Sequence, residues 1–221
     1  NTTEPLTVGN LVLKAVKDES SFSSIIDGTI TATSAKLFKT IDDTKWYYMA
    51  FPCDVTVADI TKSNGESIGV LGTDWFIKYY DGEQRGNNGT AQTNWKHIGA
   101  IPTLTANRGY IFGLKTGTVE LSIPLNSSVL EAESTDKNIA VAANTGAAGT
   151  IHQGWNLIGH PYMSKYNARS NGSAPDYMIM PNPDGKTYTQ TSKGAGTLPT
   201  DLKPFAAYFV QVEAAGNIGF G

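Results

Sequence analysis

Trp46-Tyr47-Tyr48-Met49-Ala50-Phe51-Pro52 and Trp155-Asn156-Leu157-Ile158-Gly159-His160-Pro161 decide the fold. In each stretch a Trp opens an apolar run and a Pro closes it at the same spacing. Such a run reads as a core strand, and Pro ends it because it has no N–H to give to a ladder. Three more segments recur in the same order. Asp74-Trp75-Phe76-Ile77 matches Asp176-Tyr177-Met178-Ile179, each soon followed by a turn pair, Asp81-Gly82 or Asp184-Gly185. Ile101-Pro102-Thr103 matches Leu198-Pro199-Thr200, and Gly109-Tyr110-Ile111-Phe112 matches Ala207-Tyr208-Phe209-Val210. One such match would be chance; four in the same order argue that one unit was duplicated.

Each unit reads as about five short strands, the size of a small sandwich or partly open barrel. In the first unit Asn94-Trp95-Lys96-His97-Ile98 makes the return arm of a hairpin that begins at Asp74. Outward from the repeats, residues 1–44 read as an N-terminal β-meander that completes the first unit or ends an upstream β-rich region. Their β-branched runs are split by Asp27-Gly28, a hairpin signal. The first unit takes residues 45–125 and the second 154–221. Residues 126–153, rich in Asn, Ser, Ala and Gly, form a linker or crossing loop, with a short helical turn allowed near 128–133. The expected fold is all-β, two similar sandwich- or barrel-like units packed together.

Composition bounds the function. With 40% hydrophobic residues in 221, the chain can bury a core without disulfides, and its single Cys53 can form no internal one. Cys53 follows Pro52 in an apolar stretch and reads as a small core hydrophobe. Only 17% of residues are charged, and the net charge of −3 comes from interspersed signs, so no basic stripe marks nucleic-acid binding. No apolar run is long enough for a transmembrane helix. The start at Asn1, with neither Met nor signal peptide, suits a mature or excised fragment.

At its landmarks the chain resembles a recurrent module of large exported cell-surface proteins of Bacteroidetes. The residues that carry the likeness are Lys45-Trp46-Tyr47, Phe51-Pro52-Cys53-Asp54-Val55, Tyr79-Tyr80-Asp81-Gly82-Glu83-Gln84-Arg85, Asn94-Trp95, Gly109-Tyr110-Ile111-Phe112 and Gly154-Trp155-Asn156-Leu157-Ile158-Gly159. The likeness spans roughly residues 40–215 and departs at His160, where the pattern has Asn. It implies an extracellular or outer-membrane surface setting and adhesion or scaffold duty. It brings no catalytic residues.

The residue chemistry points the same way. His97, His152 and His160 lie at no metal-ligand spacing from Cys or one another, so no metal and no cofactor is expected. Asp81 through Asn88 is rich in oxygen donors but lacks the twelve-residue EF-hand order. A glycosidase needs two carboxyl groups about 5–10 Å apart, for which Asp74, Asp81 and Glu83 are the candidates. Asp81 reads as a turn residue, while Glu83 and Arg85, two apart, share a face if the segment is a strand. Trp46 and Trp155 read as core; Trp75 and Trp95 are the candidates for an exposed platform against a sugar ring. The leading expectation is a non-enzymatic binding, adhesion or structural module whose partner is a surface protein or glycan. The first alternative is a carbohydrate-binding module using Trp75, Tyr79, Trp95 and their polar neighbours Glu83, Arg85 and Asn94. The second is a glycoside hydrolase.

Overall fold

Alternating apolar side chains need a cover on one face of each sheet, and here the covers are other sheets. The computed structural model describes residues 6–15, 23, 28–127, 129–131, 137–168, 177–184, 186–192 and 195–220. Over these residues the fold is all-β, with a single α-helix. In chain order the first part supplies β1 (Leu6–Ala15), β2 (Thr29–Asp42), β3 (Tyr47–Ala50), β4 (Val55–Thr56), β5 (Thr61–Lys62), β6 (Trp75–Tyr80), helix α1 (Gly82–Asn88), β7 (Trp95–His97), β8 (Thr103–Leu104), β9 (Gly109–Leu114) and β10 (Thr118–Leu125). The rest supplies β11 (Val129–Glu131), β12 (Lys137–Val141), β13 (Trp155–Ile158), β14 (Tyr177–Pro181), β15 (Tyr188–Ser192), β16 (Tyr208–Gln211) and β17 (Gly216–Phe220).

A sheet ordered β1-β2-β10-β5, with β11 also on β2, covers a second sheet ordered β3-β9-β6-β7. Ala35, Leu37 and Ile41 of β2 and Leu121, Ile123 and Leu125 of β10 point inward at alternate positions. They meet Tyr47, Met49, Ile77 and Phe112 of the second sheet in the first core. The buried Tyr47 hydroxyl donates to Asp42 at 2.8 Å, which satisfies both polar groups inside this core. Farther along, a sheet ordered β13-β16-β14-β15 and the antiparallel pair β12-β17 enclose a separate core around Tyr162, Tyr166, Met178, Val210 and Phe220.

The two four-stranded sheets have corresponding strands in the same order, and a pseudo-twofold axis relates them. The pairs Tyr48↔Ile111 and Met49↔Tyr110 in one become Leu157↔Phe209 and Ile158↔Tyr208 in the other. Contacts across the axis are exchanged in the same way: an isolated bridge joins Met49 to Ala206, and its counterpart joins Ile158 to Arg108. Ala50 N–H donates to Phe205 C=O and Gly159 N–H to Asn107 C=O, both at 3.0 Å. The two acceptor residues share a left-handed backbone, φ 66° at Phe205 and φ 61° at Asn107. That conformation suits Asn; for Phe it is strained, and the buried Phe205 ring in the first unit's core offsets the strain. At the axis Gly109 faces Ala207 and Gly159 faces Ala50; a Cβ on Gly159 would lie 2.3 Å from that of Ala50.

Four details differ from the expectations. Strands β1 and β2 run parallel, so they are not neighbours in a meander; the Asp27 of the expected turn lies outside the described residues. Residues 129–131, where a helical turn was allowed, pair with β2 because Leu130 fills a slot in the first core. Residues 82–88, read as turn and loop, are the helix α1, with the Asp81 side chain accepting from Gln84 N–H at 2.9 Å as its N-cap. Finally, β14 is set one residue off the sequence match: Met178 pairs with Val210, whereas in the first unit Ile77 pairs with Phe112. Met178 is thus the counterpart of Ile77, and both are buried.

Candidate functional site

The outer faces of the two four-stranded sheets meet each other, and their seam opens into a cleft of about 380 Å³. Tyr80 at the end of β6 and Trp95 at the start of β7 form one wall; Trp155, Phe209, Ile179 and Tyr188 form the other. The rings meet edge to face. The Tyr80 ring centroid lies 4.8 Å from that of Phe209 and 5.1 Å from that of Trp95, and Trp155 and Phe209 are 6.3 Å apart. This geometry sets the positive ring edge of one against the negative face of the next. Farther along the seam the Tyr48 and Tyr188 hydroxyls hydrogen-bond at 2.6 Å, joining the units while Tyr188 stays 49% exposed. Burial and that bond push the Tyr48 phenol well above its usual range, and burial first of all raises Tyr80 as well. Both hydroxyls therefore stay protonated at neutral pH.

Helix α1 closes one end of the cleft. Gly82 and Gly86, one turn apart, lie so closely against the segment at Asn144 and the start of β13 that no side chain fits. A Cβ on Gly82 would fall 2.2 Å from Trp155 O, and one on Gly86 would fall 2.2 Å from Asn144 O. This approach sets Arg85 at the cleft, its guanidinium 4.3 Å from the Trp155 ring centroid and Nη1 donating to the Tyr80 hydroxyl at 3.0 Å. After the helix, Gly89 takes φ 70°, and its carbonyl accepts from Asn94 Nδ2 at 2.7 Å. Asn94, 2% exposed, stands beside the Tyr80 hydroxyl at the cleft, and its buried Oδ1 has no hydrogen-bond partner among the described residues.

Three of the residues singled out in the sequence, Arg85, Asn94 and Trp95, meet in this cleft. Trp75 does not. It is 4% exposed and belongs to the first core, because period-two alternation puts Trp75, Ile77 and Tyr79 on the opposite face of β6 from Tyr80. Tyr79 carries the Arg108 guanidinium 4.3 Å from its ring centroid. Glu83 is exposed and lines a neighbouring groove of about 600 Å³ with Asp81 and Arg108. Since 83 and 85 lie on a helix, they do not share a face, and no ion pair joins them. Trp46, read as core, is half-buried on the outer face of the first unit, beside Phe76 and under Lys78. Trp155 is buried, as expected of it, yet one side borders the cleft.

The sequence reading missed Tyr80, Ile179, Tyr188 and Phe209. A signal existed for Tyr80: in the pair Tyr79-Tyr80 on one strand, one ring must face away from the first core. Cys53, half-buried, has its thiol pushed up to about 11 by burial and then by Asp54, so it stays an unreactive thiol at neutral pH. Among the described residues no group of three or more His, Cys, Asp or Glu side chains could hold a metal ion, and no helix is long and apolar enough to cross a membrane. Compared with known proteins, the chain matches no family model, no curated protein and no solved structure.

Proposed function

We propose that the chain is a non-catalytic binding module of an exported bacterial surface protein, and that its ligand is a saccharide held in the cleft between the two units. One observation carries the reading: two diverged sheets contribute aromatic rings to a solvent-open cleft that also holds a few fixed polar groups. Concave sites with apolar walls and sparse polar groups are the usual form of a small-ligand site, and 380 Å³ falls within their range of roughly 300–1,000 Å³. Aromatic rings suit the C–H faces of a pyranose ring. The low charge content fits a module working outside the cell.

A glycoside hydrolase finds no support in this cleft, whose described lining contains no Asp or Glu. In the neighbouring groove the Asp81 carboxylate is engaged in capping α1. The test is a glycan array probed with the chain and with Trp95→Ala, each checked for folding by circular dichroism. Specific glycan binding that a folded Trp95→Ala variant loses supports the reading. Binding that the variant retains moves the site elsewhere. A blank array removes the saccharide and leaves a protein partner for the same surface.

A further inference from the structure

We infer that the cleft selects an acidic saccharide, one bearing a carboxylate or sulfate, and that Arg85 is the group that recognises the acid. The inference rests on the cleft being a saccharide site. Two features of the wall state what a ligand must offer. The first is a cation without an ion pair: Arg85 pairs with no carboxylate among the described residues, and the described lining has no acidic side chain. Its one hydrogen bond among the described residues goes from Nη1 to Tyr80, and its buried Nε finds no partner among them. A guanidinium carries five donors in a planar fork suited to an oxyanion, so most of this fork is unused.

The second is the apolar wall of Trp95, Tyr80 and Phe209. An inorganic anion answers only the first of these, and a neutral sugar answers only the second and leaves the cation unpaired. A sugar acid presents an anionic oxygen pair and an apolar ring face together. Leaving a charged group of the wall unmatched is costly, so a ligand that answers both is selected over one that answers one.

Stacking of Arg85 on Trp155 positions the guanidinium plane, and Tyr80 holds one end of the fork. Lysine keeps the charge but has neither the plane nor the fork, so Arg85→Lys and Arg85→Gln separate charge from geometry. The experiment is titration calorimetry of the intact chain with oligogalacturonides, sulfated heparin-derived oligosaccharides and neutral galacto-oligosaccharides of equal length. The expected result is that one acidic series binds about tenfold or more tighter than the neutral one. Whichever acidic series wins identifies the acid. Arg85→Gln should erase the preference while leaving the thermal midpoint within a few degrees of the parent; Arg85→Lys should keep part of it.

Neutral oligosaccharides binding as tightly as acidic ones would overturn the inference and leave the saccharide reading standing. A folded Arg85→Gln variant that keeps the acidic preference would also overturn it, since the charge would then be read elsewhere. If no saccharide of either kind binds, the saccharide reading itself fails, and the inference falls with it.

Discussion

His160 occupies the position that Phe51 holds in the first unit, and both are buried in the core of their own unit. Burial lowers the His160 imidazole to about 4, with the backbone at Lys203 and Leu202 only partly opposing the shift. An unfolded chain takes up that proton near the ordinary His value of about 6.5. His160 therefore costs nothing above that pH, and stability is lost as the pH falls from about 6.5 towards 4, on the order of 3 kcal/mol in all. His160→Phe, copying the first unit, should flatten this dependence; urea unfolding at pH 7.5 and 4.5 on both chains measures it. At the same scale, Trp75→Ala should cost roughly 3–5 kcal/mol in stability, because it empties a buried ring position of the first core. Trp95→Ala, at the half-buried cleft wall, should cost less stability and more binding. Equal stability losses would place the two rings in equivalent surroundings, against the burial seen here.

Helix α1 shows how packing can reverse a local preference. On propensity alone Gly86→Ala should stabilise a helix by about 1 kcal/mol. The new Cβ would stand 2.2 Å from Asn144 O and 3.1 Å from Asn144 C, and backbone cannot rotate away as a side chain can. Overpacking of this kind costs typically about 1–3 kcal/mol, so the net effect should be destabilising. It should also weaken ligand binding, because Arg85 rides on the displaced helix. Asp81→Ala removes the N-cap and should cost about 1 kcal/mol without a clash. Thermal melts of the two variants distinguish them: a Gly86→Ala protein as stable as the parent would mean that α1 can lift off its neighbour freely.

Over the whole molecule, the pseudo-twofold axis ties the units into one folding body. The seam shares a core containing Ala50, Trp155, Leu157, Ala207 and Phe209, and Phe205 of the second unit lies in the first unit's core. Denaturant unfolding should accordingly give one transition with coincident fluorescence and circular dichroism curves; two transitions would mean that the units are stable apart. The axis also makes a compensation testable. Gly159→Ala sets two Cβ atoms 2.3 Å apart and should destabilise by about 1–3 kcal/mol. Adding Ala50→Gly exchanges the two partners across the axis, so the double variant should recover most of the loss. Additive losses would show that the seam does not tolerate the exchange.

The repeat of Trp, Pro and Gly-Tyr landmarks made the all-β class legible in the sequence, because alternation and Pro positions are local signals. Asp81 followed by Glu83, Gln84 and Arg85, with Gly89 past the end, was also a helix signature, but Asp81-Gly82 reads equally well as a turn. Gly82 is there for close approach to β13, a reason that no local pattern carries. The parallel pairing of β1 with β2 and the one-residue offset of β14 were equally invisible, since register is set by the partner strand. Period-two alternation separates Trp75 from Tyr80 onto opposite faces, yet it does not say which face another sheet will cover. Only the docking of two sheets about the axis, some hundred residues apart in the chain, brought Tyr80, Arg85 and Trp95 against Trp155 and Phe209. The β class and the repeated landmarks belong to the sequence; the cleft exists because long-range burial chose which faces meet.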